Sequence, residues 1–258
     1  MIKSFSIDQL KIACWVNPRD FGAQQQSLIF IHGSGGDHSG WSQQYAKLHK
    51  QFNIIAVDLP GHGRSEGDGE NDVADYSQWM KKLLEVLQPK NPVLIGHSLG
   101  AAIALNFASQ YPQHVKGIVP VGGGIKMPVN ASLLDGIKTN TAEVIDMVCK
   151  FSLAKENRPK LLEPLKKNFA KVDVAVLYGD FVACNKLDLT AEISKINTPV
   201  LALCGLDDKM TPPDFSRQIV AGISGAKLCL IEGAGHMVML EKPAEFNAAV
   251  IEFASSLS

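Results

Sequence analysis

Long apolar runs, paired cysteines and clustered charge are all missing from this chain, and each absence removes a class of protein. No stretch approaches the roughly 18 uninterrupted apolar residues of a membrane span. The N-terminal "MIKSFSIDQLKIACW" has no apolar core of signal-peptide length. The five cysteines, Cys14, Cys149, Cys184, Cys204 and Cys229, are odd in number and scattered, with no CxxC pair for zinc or redox chemistry. Reduced thiols in a cytoplasmic protein are expected. Cys204 and Cys229 sit inside apolar runs and read as small buried hydrophobes. No Lys/Arg cluster is longer than a pair and the formal net charge is −1, which argues against nucleic acid or an anionic membrane as partner. The histidines lack paired ligand spacing, so no metal is expected. "HGSGGDHSG" is not the Gly-x-Gly-x-x-Gly that opens a nucleotide-binding helix, so no cofactor is expected either.

What remains is an ordinary globular composition over 258 residues, with 46% hydrophobic residues to build a substantial core. Short apolar runs recur at residues 28–31, 54–57, 93–95, 118–121, 200–204 and 228–231. They are continuous rather than alternating, as in parallel strands covered on both faces. Helical patterns at 41–49, 73–87, 99–110, 213–221 and 244–257 lie between or after them. Within 73–87, Tyr76, Trp79, Met80, Leu83, Leu84 and Leu87 fall at three- and four-residue steps. This alternation predicts a doubly wound, mostly parallel α/β sheet. Pro120 suits a strand end or a bulge better than a central position.

Between residues 125 and 190 strand-like runs are few, and "SLLDGIKT", "AEVIDMVCKF" and "PKLLEPLKKNF" read as successive helices. A helical cap over 125–190 is therefore expected, inserted into a core made of 1–124 and 191–258. Met127, Met147, Phe151, Leu153, Phe169 and Phe181 should mostly pack inside it, a minority facing a ligand.

The stretch "NPVLIGHSLGAAIALNF" raises the functional question: a polar serine between two glycines, where a strand gives way to a helix. Alone the pentapeptide is a weak signal in a chain with 22 glycines. Its position strengthens it, since Gly96-His97-Ser98-Leu99-Gly100 has the form of a nucleophile elbow, Gly-x-Ser-x-Gly. A serine hydroxyl needs a base to become nucleophilic. Of seven histidines, His236 stands on a Gly-Ala-Gly loop just past the last apolar run, at the sheet edge where α/β sheets bind ligands. His32 and His62 lie in glycine-rich turns and suggest conformational or hydrogen-bonding roles. His38 lies in a polar loop, His49 and His114 in exposed helix or loop, and His97, adjacent to the serine, should point elsewhere. For the orienting acid, Asp207 and Asp208 both follow the run ending at Cys204, and Asp58 ends an earlier strand. Buried carboxylates need partners in each case. The Leu99 amide and the glycine turn after residue 31 could donate to an oxyanion. Ser34 is the weaker candidate nucleophile, having no helix at the right distance after it.

With these pieces the chain resembles the α/β-hydrolase fold family, in its serine-nucleophile branch with a helical cap. "HGSGG" at His32, "DLPGHGRS" at Asp58, "GHSLG" at Gly96 and "GAGH" at Gly233 follow the family order, and "GLDDKMTP" resembles its Gly-x-x-Asp-x-x-x-Pro turn. The resemblance implies Ser98, Asp208 and His236 as catalytic residues, and the amides of Ser34 and Leu99 as the oxyanion hole. A serine at 98 excludes the aspartate nucleophile of dehalogenases and epoxide hydrolases. The implied function is a carboxylesterase-like hydrolase acting on a small or medium apolar acyl substrate. Thioester, lactone or carbon–carbon bond hydrolysis and perhydrolysis use the same triad, and a ligand-binding receptor with little turnover could keep the fold. Oligomeric state and the physiological substrate are not written in these motifs.

Overall fold

The computed structural model of the protein describes residues 1–18 and 22–257. Among these the chain runs β1 (Ile2–Ile7), β2 (Leu10–Val16), β3 (Ser27–Ile31), α1 (Ser42–Leu48), β4 (Asn53–Val57), α2 (Val73–Leu87), β5 (Pro92–His97), α3 (Leu99–Gln110) and β6 (Gly117–Val121). Four helices follow: α4 (Ala131–Thr139), α5 (Thr141–Ser152), α6 (Arg158–Phe169) and α7 (Val174–Lys186). The chain then continues through β7 (Leu201–Gly205), α8 (Pro213–Gly222), β8 (Lys227–Ile231), α9 (Val238–Glu241) and α10 (Pro243–Ser255). One eight-stranded sheet has the order β1-β2-β4-β3-β5-β6-β7-β8. It is parallel from β4 to β8 and antiparallel where β2 meets β1 and β4.

The continuous apolar runs have a direct cause. Ile29 and Ile31 of β3 face a core shared with Ile103 and Phe107 of α3 and Leu83 of α2. Leu28 and Phe30 face the other core, with Trp41 and with Phe246 of α10. Successive side chains alternate across a strand, so helices on both faces demand apolar residues at every position. Trp41 is wholly buried, its ring 5.0 Å from Phe30 and 6.0 Å from Phe246. Truncating such an aromatic to alanine typically costs about 3–5 kcal/mol.

Several expectations need correction. The N-terminal hairpin β1–β2 has no counterpart in the sequence reading. It turns through Asp8 and Gln9, both at positive φ (46° and 72°), with Ile7 opposite Leu10. Such two-residue turns are signalled by Asn-Gly or Asp-Gly, and Asp-Gln gives no such cue. Pro120 lies inside β6, an interior strand, and not at an end or a bulge. The Ile118 amide donates to the Pro199 carbonyl and the Gly122 amide to Leu203. The proline falls between them, so its missing N–H interrupts the β6–β7 ladder while the register on either side is unchanged. Cys204 is buried, but Cys229 is only partly so, because β8 is an edge strand. Met147 and Phe151 on α5 are exposed, whereas Met127, Leu153 and Phe181 are buried.

The helices α4–α7 have a small apolar cluster of their own, including Ile137, Val148, Leu177 and Phe181. No helix among the described residues is long and apolar enough to cross a membrane.

Candidate active site

Ser98 stands alone between β5 and α3, at φ 53° and ψ −112°. A non-glycine residue at such positive φ carries about 1–3 kcal/mol of strain, held by its surroundings. The Ser98 amide donates to the Val121 carbonyl (2.9 Å), and its own carbonyl accepts from Ala101 and Ala102 at the start of α3. The flanking glycines are required by backbone contact. A Cβ on Gly96 would fall 1.9 Å from the Gly100 carbonyl oxygen, and one on Gly100 would fall 2.3 Å from the Ile31 carbonyl oxygen. The helix therefore starts directly against β3, with its N-terminal positive end beside the serine.

His236 follows β8, and Asp208 follows β7, at the same edge of the sheet. His236 Nδ1 lies 2.8 Å from Asp208 Oδ2. Since a carboxylate accepts, Nδ1 carries a proton, which leaves Nε2 as the ring nitrogen for proton transfer. Asp208 Oδ1 accepts from the amides of Met210 (2.8 Å) and Thr211 (2.9 Å). Burial works to raise the Asp208 pKa, but the His236 ring and the Thr211 donors hold it below the ordinary carboxylate range. Thr211 Oγ1 donates to the Gly122 carbonyl (2.8 Å) and lies 3.1 Å from His236 Nδ1, closing the pair on its third side. Gly122 supplies the floor: at φ 54°, an added Cβ would meet His236 and Asp208 at 3.1–3.2 Å.

The structure brings Asp208 to His236 and leaves Asp207 exposed. Asp58 is occupied with its own turn. Its Oδ1 accepts from the His38 amide (2.7 Å) and from His38 Nδ1 (2.8 Å), and Oδ2 accepts from Arg64 N–H. The ligand-type atoms of Asp37, His38 and Asp58 are close together, and these bonds account for that proximity. Ser98, His236 and Ser34 border one cavity of about 180 Å³. Its other walls come from the helices beyond β6, with Leu133, Val148, Phe169 and Phe181, and from Met210 and Met239. Leu99 is the first residue of α3, its side chain buried in the core below. A Cβ on Gly33 would sit 3.0 Å from Ser98 Cβ, so the turn carrying Ser34 passes directly beside the serine.

His97 does not point away from the site. Its ring packs 4.5 Å from that of His236, and Nε2 donates to the His236 carbonyl at 2.9 Å. Two other residues escaped the sequence reading. Glu241 accepts from the amides of Gly235 and Ala154 (both 2.8 Å), tying the His236 loop to the end of α5. Asp180 of α7 binds Gly35, His62 and Tyr76. The available cue was a single carboxylate in the apolar stretch "VAVLYGDFVAC", which implies a buried partner.

His32 and His97 are buried without charge. His32 Nδ1 donates to the Gly33 carbonyl while Nε2 accepts the Leu59 amide, leaving no place for a second proton. Burial and the neighbouring His62 ring lower the His32 pKa, and burial followed by His236 pushes His97 down to about 3. The unfolded chain binds these protons near pH 6.5 and the native state does not. Stability should fall with acidification from pH 6.5 downward, at about 1.4 kcal/mol per pH unit for each histidine. Urea midpoints at pH 6 and pH 5 measure this; equal midpoints would contradict it.

With its mostly parallel sheet, its serine elbow and a histidine loop at the carboxyl edge, the molecule has the build of an α/β hydrolase. The alpha/beta hydrolase family matches residues 28–249, and the chain belongs to that family. It is 26% identical over 261 residues to 2-hydroxy-6-oxononadienedioate/2-hydroxy-6-oxononatrienedioate hydrolase of Paraburkholderia phymatum, covering 92% of this chain and 90% of that one. The structure of a thermophilic esterase superposes with a TM-score of 0.87 at 28% identity, over 100% of this chain and 98% of that one. The enol-lactonase from Burkholderia xenovorans shares the fold, with a TM-score of 0.90 at 20% identity over 98% of this chain and 100% of that one.

Proposed function

We propose that this protein is a serine hydrolase that cleaves neutral carboxylic esters of small or medium apolar acids through an acyl-enzyme. The observation that carries the reading is the buried Asp208–His236 pair at the wall of the apolar cavity that Ser98 also borders. In this reading Ser98 Oγ attacks the acyl carbonyl as His236 Nε2 takes its proton. Asp208 keeps the tautomer and stabilises the imidazolium without accepting the proton itself. The developing oxyanion rests on the amides of Ser34 and Leu99, each such donor being worth about 3 kcal/mol. His236 then protonates the departing alcohol, and water repeats the sequence to release the acid. Residues 125–190 act as the cap that forms the acyl pocket. The similarity to a thermophilic esterase supports ester chemistry.

Carbon–carbon bond hydrolysis is the second reading, favoured by the name of the Paraburkholderia relative. That name describes a dianion. Among the described residues bordering the cavity here none is Lys or Arg, and one, Asp37, is acidic. An anionic acyl group would be buried with no cation beside it, at several kcal/mol. We expect kcat/KM for p-nitrophenyl butyrate to exceed that for the p-nitrophenyl monoester of succinate by at least about 10²-fold, since each factor of ten is only 1.4 kcal/mol. Comparable values, or turnover confined to a dicarboxylate with a carbon–carbon scissile bond, would reject the neutral-ester reading.

A further inference from the structure

Asp180 lies on α7 with no exposed surface. Its Oδ2 accepts from the Gly35 amide (2.9 Å) and pairs with His62 Nε2 (2.9 Å), and Oδ1 accepts from the Tyr76 hydroxyl (2.7 Å). That hydroxyl in turn accepts from the Glu70 amide (3.0 Å). His62 Nδ1 lies 3.0 Å from the Pro60 carbonyl. Both ring nitrogens thus face oxygens, and the Pro60 carbonyl can only accept, so Nδ1 is protonated. Both Asp180 oxygens already accept, from Gly35 N–H and from Tyr76 O–H, so in the bond to His62 the ring Nε2–H is the donor. His62 is therefore an imidazolium, paired with Asp180 inside the protein.

The other end of this pair reaches the serine. Gly35 sits at φ 65° in the turn over residues 33–36, which the Gly36 amide closes on the Gly33 carbonyl (3.0 Å). The helices α6 and α7 close on it: an added Cβ would meet Leu177 at 2.9 Å and Phe169 at 3.1 Å. The same turn carries Ser34 and brushes Ser98 through Gly33.

We propose that Asp180 is a positioning residue for the Ser98 site: it clamps the turn at residues 33–36 through the Gly35 amide, keeping the Ser34 amide aimed at the substrate oxygen, with His62 supplying the countercharge. This rests on the serine-hydrolase reading. The clamp joins a helix of the inserted segment to the turn that would hold the oxyanion, so docking of that segment and transition-state binding become one event. It also has a pH limit. Burial works against charge on His62, but Asp180 outweighs it and raises the pKa. The surrounding groups are Asp58 from the β4 turn, His32 with its ring 4.8 Å away, Tyr76 and Glu70 beside Asp180, and the Cys184 thiol on α7. His32, Tyr76 and Cys184 stay uncharged, since burial lowers the first and raises the other two. The clamp is whole below the raised His62 pKa and fails as pH rises through it.

The test combines kinetics on p-nitrophenyl butyrate with nitrogen-15 NMR of the intact chain. In wild type both His62 ring nitrogens should be protonated at pH 7, the Gly35 amide should exchange slowly, and kcat should decline on an alkaline limb. Asp180→Asn should lower kcat by about 10²-fold with KM within about threefold, the pattern of a lost transition-state donor. It should also speed Gly35 exchange. Leu83→Ala, a core variant on α2, controls for stability: it should lower the thermal midpoint with kcat unchanged. If Asp180→Asn does not fold, His62→Gln should reduce kcat by about tenfold and remove the alkaline limb. A neutral His62 in wild type at pH 7, or a folded Asp180→Asn with wild-type kcat, overturns the proposal. Absence of any ester turnover in wild type overturns the hydrolase reading and the positioning role with it, while the nitrogen shifts and Gly35 exchange still report on the ion pair itself.

Discussion

Ser98→Ala is expected to lower kcat for p-nitrophenyl butyrate by at least about 10³-fold, with KM near its wild-type value. The substitution removes one oxygen from the cavity wall and leaves the backbone its strained turn, held by the Ser98 amide bond to Val121 and by the start of α3. Alanine at φ 53° is no more strained than serine, so the thermal midpoint should move little. The loss arises because no covalent acyl intermediate can form, while the amides of the proposed oxyanion hole and the apolar pocket still bind substrate. A neutral fluorophosphonate should add its mass to Ser98 in wild type and leave Ser98→Ala unmodified. Retained turnover in the alanine variant, or labelling at Ser34 in its place, would reject Ser98 as the nucleophile.

The largest effect on stability is expected at a residue with no chemistry of its own. Gly96→Ala would place a methyl 1.9 Å from the Gly100 carbonyl oxygen, a backbone atom that no side-chain rotation can move aside. Relief requires α3 to retreat, yet Gly100 already lies against the Ile31 carbonyl and α3 is buried along most of its length. Destabilisation above about 4 kcal/mol is expected, a large share of the stability of an ordinary domain. Soluble yield and urea unfolding would show it directly. A Gly96→Ala protein with a thermal midpoint within a few degrees of wild type would mean that the contact between β5 and α3 is looser than described.

Much of the architecture is legible along the chain because burial on both faces leaves a simple trace. The runs at residues 28–31, 54–57 and 93–95 became β3, β4 and β5 because a parallel strand between two helical layers tolerates few polar positions. The stripe at 73–87 became α2 for the complementary reason, that a surface helix buries one face. The hairpin β1–β2 left no such trace. It lies at the sheet edge, β1 buries only Ile7 fully and exposes Lys3, Ser4 and Ser6, and its turn uses Asp8 and Gln9.

At the candidate site, residue types and chain order were written in the motifs, but side-chain partners were not. Spacing alone left Asp207 and Asp208 open and the resemblance singled out Asp208; the turn after β7 sends that residue toward His236 and Asp207 to solvent. His97 looked like a bystander because neighbours in sequence point apart, yet it packs against a histidine 139 residues away.

Local patterns determined the layers, the strained serine and the supply of acids and bases, since periodicity and steric limits act between residues close in the chain. Tertiary structure alone brought Asp180 to His62, and it alone set how deeply that pair and the Asp208–His236 pair are buried. The Asp180–His62 and Asp208–His236 pairs span 118 and 28 residues. Electrostatic pairing depends on distance through space and on exclusion of water, and the folded packing of α7 and the β7–β8 edge sets both.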